Sequence, residues 1–252
     1  MHRLLANTED LSLEAPALSR VALGHLKVLR PRDGEEIELF DGRGMKRVYA
    51  YSRAAGGLVA ARPAEMSCAK RLPLVLFACV TKGSRWDWTI EKATELGVSK
   101  IVPVVSERTI VRIPADERAA KRERWMRIAE EAARQSDAAW LPEISEAVDF
   151  PRSVEMAGET DCFVGALVNP PAKPLLAAYE SVPRTAGREV SLFVGPEGDF
   201  TPGELAALLE VATPTSFGPT VLRAETAALF GLSVLAAALA REAASNERAV
   251  GR

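Results

Sequence analysis

Three side chains near the carboxyl end of this chain have the types and spacing to do chemistry: Glu197, Arg223 and Glu225. Arg223 and Glu225 stand two residues apart where a glycine–proline turn runs into an alanine-rich helix, a place where packing calls for neither. An arginine there stays protonated and suits an anion or a phosphate, whereas a carboxylate can accept a proton. The only histidines are His2 and His25, both close to the amino terminus, so the general base expected here is Glu197 or Glu225. Cys68, Cys79 and Cys162 lie far apart with no CxxC pair, so no metal site is expected. A G-x-x-x-x-G-K-[ST] phosphate loop is missing too.

Two strand–turn–helix units between Ser191 and Leu229 must position these groups. The first strand, Ser191-Leu192-Phe193-Val194, runs into Gly195-Pro196-Glu197-Gly198-Asp199. Thr201-Pro202-Gly203-Glu204 then reads as a capping box with proline at the first helical position. The second strand ends at Phe217 and is followed by Gly218-Pro219 and Leu222-Arg223-Ala224-Glu225-Thr226-Ala227. The pattern predicts two loops at the carboxyl ends of neighbouring strands, where open α/β sheets keep their ligand crevices. Gly195 and Gly198 let backbone approach a ligand closely, and Pro196 and Pro219 stiffen the loops before binding.

GPEGDFTPGEL followed by GPTVLRAETAAL resembles the RsmE family of SPOUT-class methyltransferases, which methylate N3 of a uridine in small-subunit ribosomal RNA. The family's loops read GPEGG(F/L) and LG-x-x-(I/V)LR-T-ETA. Asp199 stands here where glycine is usual, and Ala224 where threonine is usual. The resemblance extends over HLKVLRPRDGEEIELFDG, KGSRWDWTIEKATELGVSKIVPVVSERT and EEAARQSDAAWLPEI, the last with Ala138 or Ala139 where a basic residue is common.

That resemblance implies S-adenosylmethionine as cofactor. It would be held by Leu167 and Asn169, by Gly195, Pro196, Glu197 and Gly198, and by Gly218, Val221, Leu222 and Thr226. Arg223, Glu225 and Glu197 are the implied catalytic residues, with Arg223 holding the uracil anion or a phosphate. The implied fold is an α/β SPOUT-type parallel sheet with a C-terminal trefoil knot and a cofactor pocket at a homodimer interface. A small PUA-like β-barrel precedes it, giving 1–70 as an RNA-binding domain, 71–246 as the methyltransferase domain and 247–252 as a polar tail. The implied partner is 16S ribosomal RNA of the small subunit.

Composition agrees with an ordinary globular chain: 252 residues, 48% apolar and 26% charged, room for one large domain or two. The net charge of −2 argues superficially against a nucleic-acid partner. It is unevenly spread, however. Residues 1–72 carry 12 Lys and Arg against 9 Asp and Glu, and the remainder carries 20 against 25. This suits a small RNA-guiding domain attached to a catalytic one. Scattered cysteines and the lack of an amino-terminal signal point to a cytoplasmic protein. The longest apolar run, Thr226 to Ala240, falls short of the ~18–20 residues that span a bilayer, so no membrane partner is expected.

In chain order, residues 1–72 read as β-rich, with a short basic helix at Val21–Arg30 and strands at Glu36–Phe40 and Arg47–Tyr51 joined by Asp41-Gly42-Arg43-Gly44. Lys27, Arg30, Arg32 and Arg43 are its candidate RNA contacts. A linker near Glu65–Arg71 leads to Leu74–Val80, an apolar run that suits a strand covered on both faces. A helix from Gly83 to Gly97 and a strand at Ile101–Val105 complete a β-α-β unit. Trp86 and Trp88 could stack on a base but are assigned to core or interface packing, and Lys82, Arg85 and Arg108, at strand–helix junctions, to RNA phosphate. A long helix over 117–138 and a buried strand at Asp161–Ala166 follow. Two other readings compete: a SPOUT enzyme acting on another position, such as a tRNA ribose, or a noncatalytic RNA-binding relative. The intact Glu197, Arg223, Glu225 and Thr226 disfavour the second of these, since a binding module has no need of cofactor loops.

Overall fold

The computed structural model describes residues 1–67, 71–183, 185 and 187–250, with side chains through Ser245. Cys68, part of the expected linker and the end of the expected tail lie outside the described residues. By its contacts the chain divides into two units. One comprises Met1–Arg71 with Glu130–Leu141, the other Leu72–Ala129 with Pro142–Arg252.

The first unit holds β1 (His2–Leu5), α1 (Thr8–Ser12), α2 (Arg20–Leu29), β2 (Glu36–Phe40), β3 (Met45–Ser52), β4 (Gly57–Ala60) and β5 (Glu65–Met66). The sheet order is β1-β2-β3-β4, with β5 also on β3; β1 runs parallel to β2 and the other pairs are antiparallel. Leu4, Leu11, Leu26, Ile37, Leu39, Tyr49 and Leu58 form its core. The alternation of Glu36–Phe40 predicts a half-buried strand, yet everything from Ile37 onward is buried. Glu38 can be buried because Arg3 Nε donates to its Oε1 at 2.7 Å. Arg3 in turn lies over the Phe40 ring, 4.3 Å from its centroid, and donates from Nη1 to the Ala133 carbonyl at 2.8 Å. A buried charge is tolerable only when paired in this way. Gly44 is more than a turn residue: a Cβ there would sit 2.4 Å from the Trp140 ring, so the approach of the Glu130–Leu141 segment itself requires glycine.

The second unit holds β6 (Leu74–Cys79), α3 (Ser84–Glu95), β7 (Lys100–Val105) and α4 (Arg118–Gln135), whose last turns belong with the first unit. Then come β8 (Glu143–Ile144), β9 (Val148–Asp149), α5 (Phe150–Gly158), β10 (Asp161–Gly165), α6 (Leu175–Ser181), β11 (Val190–Val194), α7 (Pro202–Leu209), β12 (Ala212–Thr215) and α8 (Ala224–Val250). The sheet order is β12-β10-β11-β6-β7-β8, with β9 also on β7, and every pairing is parallel. The expected parallel α/β sheet is therefore present.

Every residue of β6 is buried, as the unbroken apolar run requires. Val75, Phe77 and Cys79 join Phe150 and Ala157 of α5, Leu208 of α7 and Phe193 in one cluster. Elsewhere α8 packs on β6, β11, α3 and α6, and Gly231 lets it approach so closely that a Cβ would lie 2.6 Å from Leu192. Trp86 is indeed core, packed edge-to-face on Trp125 at 5.7 Å, whereas Trp88 is 37% exposed. The run Thr226–Ala240 understated α8: its stretch Ala224–Ser245 is, by length and composition, long and apolar enough to cross a membrane. In this fold Leu232, Leu235 and Leu239 are buried in the second unit, each contributing about 1.5–3 kcal/mol.

Candidate active site

The two glycine-bearing loops do not leave neighbouring strands, because β10 lies between β11 and β12. Three consecutive strands therefore end at one edge. Register fixes their level: Val164 pairs with Phe193, and Gly165 with Thr215. The loops that follow enclose a cleft of about 360 Å³ lined by residues 165–167, 194–197, 199, 215–218, 220–224 and 227. Small-molecule sites span about 300–1,000 Å³, so the space suits a ligand of nucleoside size.

Of the site residues expected from sequence, Leu167, Gly195, Pro196, Glu197, Gly218, Val221, Leu222 and Arg223 stand on its wall. Asn169, Gly198, Glu225 and Thr226 do not. Asn169 is exposed further along its loop, before a cis bond to Pro170, and Thr226 is exposed in the first turn of α8. The Gly198 carbonyl accepts from Arg108 Nη1 at 3.0 Å, and a Cβ on Gly198 would meet only the Arg108 stem, at 3.5 Å. Glu225 is half-buried, and its Oε2 is buried with no hydrogen-bond partner among the described residues. Arg223 is exposed on the cleft, and its guanidinium has no hydrogen-bond or ion-pair partner among the described residues.

Sequence reasoning missed Gly165 and Phe217 as parts of the wall. A Cβ on Gly165 would lie 2.3 Å from the Phe217 ring, which itself packs against Phe230 with centroids 5.7 Å apart. A glycine closing an apolar strand was the signal available. Cys79 and Cys162 are not nucleophiles: burial pushes both thiols up to about 12.

A family model described as an RNA methyltransferase domain matches residues 68–236. A ribosomal RNA small subunit methyltransferase E from Synechocystis sp. is 30% identical over 241 residues, 94% of this chain and 78% of the relative. The chain belongs to the ribosomal RNA small subunit methyltransferase E family. The Mycobacterium tuberculosis protein of that name is 30% identical, covering 86% of this chain and 84% of its own. A Legionella pneumophila methyltransferase solved in complex with S-adenosylmethionine matches with TM-score 0.82 and 29% identity, over 94% of this chain and 98% of its own. A methyltransferase E from Neisseria gonorrhoeae, bound to S-adenosylmethionine, gives 0.80 and 26%, over 93% and 96%. The family to which the two loops pointed is confirmed, and with it the class of enzyme, an RNA methyltransferase.

Asp199, which departs from the methyltransferase E loop pattern, has φ 59°, the left-handed region where glycine is free of strain. Its Oδ1 offsets the strain locally by accepting from the Phe200 amide at 2.8 Å. Asp199→Ala keeps the strain and loses the bond, and should destabilise by about 1 kcal/mol. Asp199→Gly exchanges one effect for the other and should stay within about 0.5 kcal/mol of wild type. Urea unfolding of the two variants checks the order; equal stability of alanine and glycine would contradict it.

The expected RNA contacts separate on inspection. Lys27, Arg30, Arg32 and Arg43 are all exposed in the first unit, Arg30 as the left-handed cap of α2. Lys82 is exposed and has no partner among the described residues. Arg85 and Arg108 are both occupied. Arg85 Nη1 donates to Glu197 Oε1 at 3.1 Å, and Arg108 Nη1 donates to the carbonyls of Gly198 at 3.0 Å and Phe200 at 3.4 Å.

Proposed function

We propose that this RNA methyltransferase transfers a methyl group from S-adenosylmethionine to N3 of a uridine in 16S ribosomal RNA of the small subunit. The observation that carries the proposal is the cleft at the ends of β10, β11 and β12, with an arginine on its wall that has no partner among the described residues. The wall suits the cofactor: Gly195 and Gly218 bring backbone to the cleft with no side chain in the way, and Val194, Phe217, Val221 and Leu222 offer apolar surface for an adenine. Bound there, S-adenosylmethionine would supply an electrophilic methyl group.

N3 of uridine becomes nucleophilic when it loses its proton, which leaves negative charge on the ring. Arg223 is the residue assigned to that charge, a preformed donor whose strength grows as water is excluded. Glu197 faces the cleft and is assigned the proton, its carboxylate oriented by Arg85. Glu225, half-buried and with no partner for its Oε2 among the described residues, is the alternative acceptor.

In this reading residues 71–246, apart from 130–141, which fold with the first unit, form the methyltransferase domain, with a trefoil knot around the cleft loops. Residues 1–70 form a PUA-like barrel that presents Lys27, Arg30, Arg32 and Arg43 to RNA, and 247–252 a polar tail. A second copy covers the apolar rim, since Leu167 is 74% exposed, Val221 81% and Phe230 41% in the single chain. An enzyme acting on the small ribosomal subunit would work in the cytoplasm. The test is transfer of tritiated methyl from the cofactor to small subunits and to tRNA, followed by nucleoside analysis. The expected result is 3-methyluridine in 16S RNA. A 2′-O-methyl nucleoside in tRNA would move the substrate elsewhere, and no transfer to either RNA would leave the chain a binding module.

A further inference from the structure

We propose that Arg108 is a positioning residue: it holds the 196–200 backbone in the shape that walls the cleft, and it is not a contact for RNA phosphate. This rests on the reading of the cleft as the cofactor site. Arg108 projects from a turn locked at both ends. Ser106 and Thr109 are buried; the Ser106 amide donates to Thr109 Oγ1 at 2.9 Å, and the Thr109 amide donates back to the Ser106 carbonyl at 3.1 Å. From that fixed base Nη1 reaches two carbonyls on either side of Asp199, those of Gly198 and Phe200.

The same turn grips the loop a second time. The Glu107 amide donates to Glu204 Oε1 at 2.8 Å, while Glu204 Oε2 accepts from the Thr201 amide at 3.0 Å to close the capping box of α7. The segment between these two grips contains Asp199, the left-handed residue on the cleft wall. A loop strained at that point and tied by a cation to its own carbonyls is preorganised, and its ordering cost is met before ligand arrives. A guanidinium spent on two carbonyls has little left for phosphate. Of the three cations that sequence assigned to RNA at these strand ends, Lys82 alone is free among the described residues to make that contact.

The test uses the full-length protein as wild type, Arg108→Ala, Arg108→Lys and Lys82→Ala. Calorimetry with S-adenosylmethionine is paired with the salt dependence of small-subunit binding. Arg108→Ala should weaken cofactor binding about tenfold, the scale of a charge-assisted hydrogen bond, and raise the cofactor KM with kcat changed less than about threefold. Arg108→Lys, able to reach one carbonyl, should recover part of the loss and guards against an alanine variant that fails to fold. Neither should alter the salt slope of RNA binding, whereas Lys82→Ala should lower it by about one. Unchanged cofactor affinity together with a flattened salt slope in the Arg108 variants would overturn the proposal. Wild-type protein that binds no S-adenosylmethionine would overturn the cofactor reading first, and this role with it.

Discussion

Arg223→Ala and Arg223→Lys should both fold and bind cofactor, yet transfer methyl groups about a hundred- to a thousandfold more slowly, the usual effect of removing one preorganised donor. The structure sharpens the contrast behind this. A structural arginine would be paired, and an exposed pair is worth about 0–1 kcal/mol. Arg223 has no partner to lose among the described residues, and it stands on the cleft wall at the start of α8. Its carbonyl accepts from the Ala227 amide at 2.8 Å, so the backbone that launches the side chain is fixed whatever that side chain is. Lysine supplies a charge without the planar fork and should fail nearly as badly as alanine. Single-turnover kinetics with cofactor saturating isolates the chemical step. A lysine variant within about tenfold of wild type would mean that no preorganised donor acts here, against the ~2.7–4 kcal/mol such a donor supplies.

Gly165→Val should weaken S-adenosylmethionine binding about ten- to a hundredfold, from the 1–3 kcal/mol typical of overpacking. The new side chain would occupy the place of the Phe217 ring, which lies 2.3 Å from where a Cβ would be. Phe217 cannot easily retreat, because Phe230 backs it at 5.7 Å, so it is driven toward the cleft that it lines. Gly198→Ala is the matched control and should change affinity less than about threefold, since its Cβ meets the Arg108 stem only at 3.5 Å, an ordinary contact. Calorimetry on the two variants decides it, and wild-type affinity in Gly165→Val would refute the placement of the cofactor against β10.

The distinction between Gly165 and Gly198 marks where sequence reading stops. The loops at 195–199 and 218–223 are legible because glycine, proline and the Thr201–Glu204 capping box punctuate them locally, and the capping box forms as read. What fills the space beside each glycine depends on residues far away in the chain. Gly198 reads as the more ligand-facing of the two, yet it faces Arg108, ninety positions away. Strand order is hidden for the same reason: an apolar parallel strand looks alike wherever it stands, so nothing local says that β10 separates β11 from β12. Arg85 and Arg108 read as free cations because their partners, Glu197 and the Gly198 carbonyl, are long-range. The passage of α4 between the two units leaves no mark either, since its helical pattern runs unbroken from Arg118 to Gln135. Short β1 gives too little periodicity to reveal buried Arg3.

S-adenosylmethionine is proposed to lie at the ends of β10, β11 and β12. Ultraviolet crosslinking of the labelled cofactor to the full-length protein, followed by peptide mapping, tests that placement most directly. Label is expected in peptides covering 165–167, 194–199 or 215–227, competed by unlabelled cofactor and greatly reduced in Gly165→Val. Label confined to residues 1–67, or label in the cleft peptides that Gly165→Val leaves unchanged, would contradict it.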